Sequence, residues 1–150
     1  MSTDYTSEGA VAAPSVNSTG RIMAILTMVA GVILIVAGGV TWFTVTDQLK
    51  AEAITVPEDA ACAAGKEVAG PISAYCMADI INTHALKTTN GQTYAQLARD
   101  DPARTTAMTS SFLRSSLFTS VVSYGVAAMA MGLGLVCIFI GIGLNAVSKR

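Results

Sequence analysis

Between Leu117 and Leu144 the chain carries no Asp, Glu, Lys, Arg or His, and the same holds from Ile22 to Val45. Each run exceeds the roughly 20 apolar residues that take a helix across a bilayer. In hydrocarbon every backbone polar group must be satisfied within the segment, so two such runs in one chain demand two helices. Composition agrees: 52% hydrophobic residues against 13% charged is not the balance of a water-soluble domain, and the sequence predicts a membrane protein with the lipid bilayer as its first partner. A formal charge of -1 offers nucleic acid no electrostatic footing, so no nucleic-acid partner is expected.

The second run belongs to a longer helix. Asp101-Pro102 is a start signal in which Asp101 caps and Pro102 takes the first helical position, where its missing N–H costs nothing. No proline follows, so one helix is predicted from Pro102 to about Asn145. At ~1.5 Å per residue it is on the order of 65 Å long, about twice the hydrocarbon thickness of roughly 30 Å. Its first turns must stand outside the membrane as a stem.

Both runs carry small residues in helical register. On the second, Ser116, Ser120, Ser123, Ala127, Ala130, Gly134, Cys137 and Gly141 step by four and three. On the first, Ala24, Thr27, Gly31, Gly38 and Thr41 fall near one seven-residue track, with Leu34 the bulky exception. Such shallow faces let membrane helices approach closely, and the two are expected to pack on each other. Trp42 and Phe43 stand where interfacial anchors would.

Arg21 precedes the first span and Lys149 and Arg150 close the second, which places both termini in the cytoplasm under the positive-inside rule. Arg99, Arg104 and Arg114 on the other side weigh against this, in a connection near the length at which the rule loses force. A cleaved signal peptide is the competing reading of the first run, but that run is longer than an ordinary signal core and the preceding tail is acidic. The expected order is a disordered cytoplasmic tail at 1–20, a transmembrane helix at 21–46, an extracytoplasmic cap at 47–116, a second transmembrane helix at 117–145 and a short cytoplasmic end at 146–150. The fold class is mainly α: a two-transmembrane-helix hairpin with a small, helix-rich cap. Asn17-Ser18-Thr19 matches a glycosylation acceptor but falls on the cytoplasmic side of this topology.

Within the cap, Asp47 to Ala53 can prolong the first helix, and Pro57 stops it. Ile54 to Val56 could pair with Lys66 to Val68 as a short β-hairpin, marginal on its own in water. A helix from Pro71 to about Thr89 follows, ended by Asn90-Gly91 as a left-handed cap. Thr93 to Gln96 has capping-box spacing for a short helix through Arg99. The stem's apolar flank of Met108, Phe112 and Leu117, with Ala103, Ala107 and Leu113, needs cover in water. The Pro71 helix, the first helix's extension and the hairpin are the expected cover.

Few residues invite chemistry. Cys62 and Cys76 face an oxidising compartment under this topology, and a disulfide between them would add roughly 3 kcal/mol to a region too small to hold itself. Cys137, inside the second run, reads as a small apolar member of its stripe. His84 is the only histidine, so it cannot build a multi-histidine metal site, and it reads as a helix C-terminal residue beside the last carbonyls. Glu52, Glu58 and Asp59 form an acidic patch with no loop motif, and Asp100-Asp101 reads as a cap and its neighbour. No cofactor or metal is expected. Neither run contains the ionisable residues of proton relays and transporters, although a homo-oligomeric channel lined by Ser120, Ser123, Thr41 and Thr44 is a further alternative.

The segments AGGVTWFTVTDQLKAEAITVPEDA, GPISAYCMADIINTHAL and TYAQLARDDPARTTAMTSSFLRSSLFTSVVSYGVAAMAMGLG resemble a family of small actinobacterial membrane proteins. Its members often carry the label aromatic ring-opening dioxygenase. The resemblance spans roughly residues 22 to 146 and implies a plasma membrane with the cap facing the envelope. The label conflicts with the residues, because a ring-opening dioxygenase needs an iron site that one histidine cannot build. The leading expectation is a non-enzymatic accessory or scaffolding subunit that binds other membrane-protein subunits. The alternative is an envelope sensor whose cap holds a small apolar molecule.

Overall fold

The computed structural model describes residues 18–148, and three helices organise them: α1 (Ser18–Ala51), α2 (Pro71–Thr88) and α3 (Arg104–Val147). The chain is mainly helical. α1 and α3 are both long and apolar enough to cross a membrane. The tail expected at 1–20 lies outside the described residues up to position 17, and its last three residues belong to α1. Asn17, Lys149 and Arg150 also lie outside the described residues.

α3 begins two residues later than the sequence suggests. Asp101 Oδ1 accepts the Ala103 N–H at 2.8 Å, and the Arg104 N–H bonds Asp101 O at 3.0 Å, so Pro102 and Ala103 form a turn ahead of the helix. Its 44 residues give about 66 Å at ~1.5 Å per residue. α2 starts with Pro71 at its first position, where Ser73 Oγ accepts the Gly70 N–H at 3.2 Å. It ends where Asn90 and Gly91 take φ of 53° and 81°, and the Gly91 N–H closes onto Leu86 O at 2.7 Å.

α1 and α3 run antiparallel along a seam of small residues. Ala24, Gly31 and Gly38 on α1 meet Gly141, Gly134 and Ala127 on α3, and all six are buried. A Cβ at Gly31 would come within 2.6 Å of Gly134 O, and one at Gly134 within 2.6 Å of Gly31 O. A Cβ at Gly38 would lie 2.7 Å from Ala127 O, and one at Gly141 would meet Met28 Cγ and lie 2.9 Å from Ala24 O. These are backbone-to-backbone approaches that no larger residue could match, and the seven-residue step keeps them on one seam.

Beyond the seam the packing turns aromatic and then cap-like. Trp42 meets Tyr124 edge to face at 4.7 Å, and Tyr124 is buried. Thr46 Oγ1 donates to Trp42 O at 2.9 Å, which leaves the Tyr124 hydroxyl to donate to Thr46 Oγ1 at 2.7 Å. Above this, Leu49, Val56, Val68, Ala74, Cys76, Ala78 and Leu117 join Tyr124 in one core. α2 lies against the stem of α3 with Tyr75 beside Phe118, Asn82 beside Arg114, and Ala85 and Leu86 near Ala107 and Ser111.

Three expectations are corrected. The hairpin does not form: among the described residues there are no strands, only an isolated antiparallel bridge between Thr55 and Glu67. Val56 N–H bonds Lys66 O and Val68 N–H bonds Ile54 O, both at 2.9 Å. Pro57 then has no N–H to extend the ladder, and the chain leaves for the cystine loop through Ala63 at φ 54° and Gly65 at φ 68°. The short helix through Arg99 is also absent. Gln96 Oε1 does accept the Thr93 N–H at 2.9 Å, but the segment stays a turn. Arg104 holds it instead, donating to Leu97 O at 2.6 Å with its guanidinium 4.2 Å over the Tyr94 ring. Finally, the stem is covered unevenly: Ala107 and Leu117 are buried, whereas Phe112 is 67% exposed and Leu113 49%. By the seam's register Ala51, the last residue of α1, is level with Arg114. α1 is therefore too short to cover Phe112 or Leu113, and the chain departs through Ala53 at φ 50°.

Candidate functional site

Cys62 and Cys76 are joined by a disulfide with a Cα–Cα distance of 5.6 Å. Cys76 is a core residue of α2, so the bond ties the exposed 57–65 loop to the helix that covers the stem. His84 sits one face round α2 and donates from Nε2 to Asp59 Oδ2 of that loop at 2.7 Å. Its partner is thus a carboxylate across space rather than the helix's own last carbonyls. Asp59 is held below its ordinary carboxylate range, chiefly by the His84 hydrogen bond. A second tie therefore joins the same loop to the same helix, on the surface.

The predicted packing residues divide into two groups. Ala24, Gly31, Gly38, Ala127, Gly134 and Gly141 lie buried in the seam; Thr27, Ser123, Ala130 and Cys137 are half-buried beside it. Cys137 Cβ stands 3.1 Å from where a Gly31 side chain would start. The hydroxyls of both long helices mostly turn to their own backbone. Thr27, Thr41 and Thr44 donate to Met23 O, Ala37 O and Val40 O, and Ser120 and Ser123 to Ser116 O and Thr119 O. These polar groups are thus satisfied within the helix.

The polar features that sequence reasoning missed converge on one cleft between α2 and the α3 stem. It measures about 380 Å³ and is lined by Asn82, Ala85, Ser110, Ser111, Arg114, Ser115 and Phe118. An adjoining hollow of about 290 Å³ shares Asn82, Ala85, Ser111 and Arg114 and runs on to Thr89 and Tyr94. Arg114 Nη1 donates to Asn82 Oδ1 at 3.1 Å, and the guanidinium lies 5.3 Å over the Phe118 ring. No carboxylate lines the cleft, and among the described residues Arg114 has no ion-pair partner. Phe118 four residues after Arg114 is a readable helical pair, but nothing in the sequence links either residue to Asn82.

A third hollow, about 380 Å³, opens on the other side between α1 and α3, with Gln48, Glu52, Ser116 and Thr119 among its lining. Among the described residues no three His, Cys, Asp or Glu side chains gather closely enough to hold a metal ion. No protein-family model, curated protein or solved structure matches the chain.

Proposed function

We propose that this chain is a non-enzymatic plasma-membrane protein, with both termini cytoplasmic and the cap outside, that serves as an accessory or scaffolding subunit of a larger membrane complex. The observation that carries the reading is the uncovered apolar flank of the stem. Phe112 and Leu113 lie above the end of α1, in the part of α3 that stands outside the hydrocarbon under this placement, and Met108 is 38% exposed on the same stem. Neighbouring large apolar side chains held on a rigid helix clear of the hydrocarbon fit a contact with another protein. α3 also carries glycines outside the seam: Gly125, Gly132 and Gly143 have open space where a side chain would start. A partner helix could approach there as closely as α1 does on the opposite face.

The test is a photo-crosslinking residue at position 112 in the full chain, expressed in its native host, with gentle solubilisation and mass spectrometry of the adducts. A defined set of crosslinked membrane proteins, lost when Leu113 is replaced by Asp, is expected. Recovery as a free monomer without adducts would overturn the reading. The sensor alternative draws support from the cleft at Arg114, but that lining is rich in hydrogen-bond donors, which suits an anion better than an apolar molecule.

A further inference from the structure

The cleft between α2 and the α3 stem has an unusual imbalance. Arg114 brings five N–H donors, of which one bonds Asn82 Oδ1, and that bond uses the amide's acceptor while leaving its NH₂ group unengaged among the described residues. Ser110 and Ser115 line the same cleft, and their hydroxyls, unlike those of Ser111, Ser120 and Ser123, have no hydrogen-bond partner among the described residues. With no carboxylate in the lining, the site gathers a cation, an amide donor and two free hydroxyls around an open space of about 380 Å³. That donor set suits a phosphate group, whose oxygens are strong acceptors and take charge-assisted bonds from Arg.

Position and neighbours select the source of the phosphate. Arg114 lies three residues ahead of Leu117, where the uncharged run begins, and its guanidinium is folded over Phe118 toward that run. Next to it Tyr75 packs edge to face on Phe118 at 6.0 Å, and Ile72 and Tyr75 are 74% and 51% exposed. Exposed aromatic and aliphatic side chains beside a donor cluster match the glycerol and upper acyl region of a lipid, at the depth where headgroups lie. A freely diffusing anion would have no use for them. We propose that this cleft binds the phosphate of a phospholipid in the cap-side leaflet, with Arg114, Asn82, Ser110 and Ser115 holding the phosphate and Ile72, Tyr75 and Phe118 flanking the chains. The assignment rests on the membrane placement proposed above and is independent of any protein partner.

The full chain reconstituted in phosphatidylglycerol nanodiscs, released into detergent and examined by native mass spectrometry tests it. Stable insertion into the nanodisc reports the membrane placement separately from the site. The wild-type chain is expected to keep one phosphatidylglycerol. Arg114→Gln should lower that occupancy about tenfold, the scale of one lost charge-assisted partner. Asn82→Asp should lower it similarly while giving Arg114 an ion pair, so its loss cannot be laid to unfolding. Diacylglycerol with the same chains should not be retained, and inorganic phosphate should not displace the lipid. Equal retention by both variants, or retention of diacylglycerol, would overturn the proposal. Displacement by inorganic phosphate would overturn the lipid assignment in favour of a soluble anion.

Discussion

Gly134→Ala should loosen the protein out of proportion to the single methyl group it adds. The new Cβ would sit 2.6 Å from Gly31 O, 2.7 Å from Ile35 Cγ1 and 3.1 Å from Ile35 N. Ordinary contact begins at 3.4 Å, so the two backbones would have to part by 3.4 − 2.6 = 0.8 Å at this level. Ile35 could swing its side chain away, but a carbonyl in the middle of a 34-residue helix cannot. The strain therefore spreads along the seam to Gly38 against Ala127 and Gly141 against Ala24. Overpacking of this kind costs about 1–3 kcal/mol. Gly125→Ala is the matched control, because nothing lies within 4 Å of its added Cβ and the change favours the helix. Trp42, the only tryptophan, touches Tyr124 at the end of the seam, so its fluorescence during thermal unfolding in detergent reports separation of the helices. The expected result is a clearly lower midpoint for Gly134→Ala and an unchanged or higher one for Gly125→Ala. Equal midpoints for the two variants would refute the close-packed seam.

The remaining predictions concern the cap and the aromatic cluster. Reducing the Cys62–Cys76 bond, or replacing both residues by Ser, should cost roughly 3 kcal/mol for a loop of this size and free the 57–65 loop, seen as new proteolytic cleavage there. Tyr124→Phe removes the donor to Thr46 Oγ1 but leaves Thr46 bonded to Trp42 O, so it should cost only about 1 kcal/mol by denaturant unfolding in mixed micelles. Asp59 should titrate below 3.8 by carbon NMR of its carboxyl group and return towards that value in His84→Ala. Because its folded pKa is lowered, its contribution to stability is present above 3.8 and is lost as the pH falls through the lower folded value.

What the sequence discloses and what it hides divide along the range of the interactions. Uncharged runs, Gly70-Pro71 before α2 and Asn90-Gly91 after it act locally, and their effects are readable one turn at a time. The seven-residue spacing of Ala24, Gly31 and Gly38 was visible as well, since a small residue on a membrane helix has few other uses. It does not say which members of a stripe reach the centre of the contact: Thr27, Ala130 and Cys137 have the right size and the wrong angle. Ile54 to Val56 reads as one arm of a hairpin with Lys66 to Val68, but Pro57 has no N–H to extend the ladder and a single bridge is what forms. His84 and Asp59 lie 25 residues apart and meet across a loop that the disulfide also ties to α2, so no local pattern announces them. The cleft at Arg114 was hidden for the same reason, as its donors come from two helices and no local pattern joins them.

The repeat that makes the seam so close also makes it indifferent to position. Slide α1 by seven residues, about 10.5 Å at ~1.5 Å per residue, and Gly31 would face Gly141 while Gly38 faced Gly134, glycine against glycine. Such a zipper cannot count its own teeth. The count is kept at one end, where Tyr124 takes Trp42 and Thr46 as its partners and where Leu49 joins Val56, Val68 and Leu117 in one core. The aromatic cluster and the cap above it are therefore the stop that sets the two long helices to a single alignment.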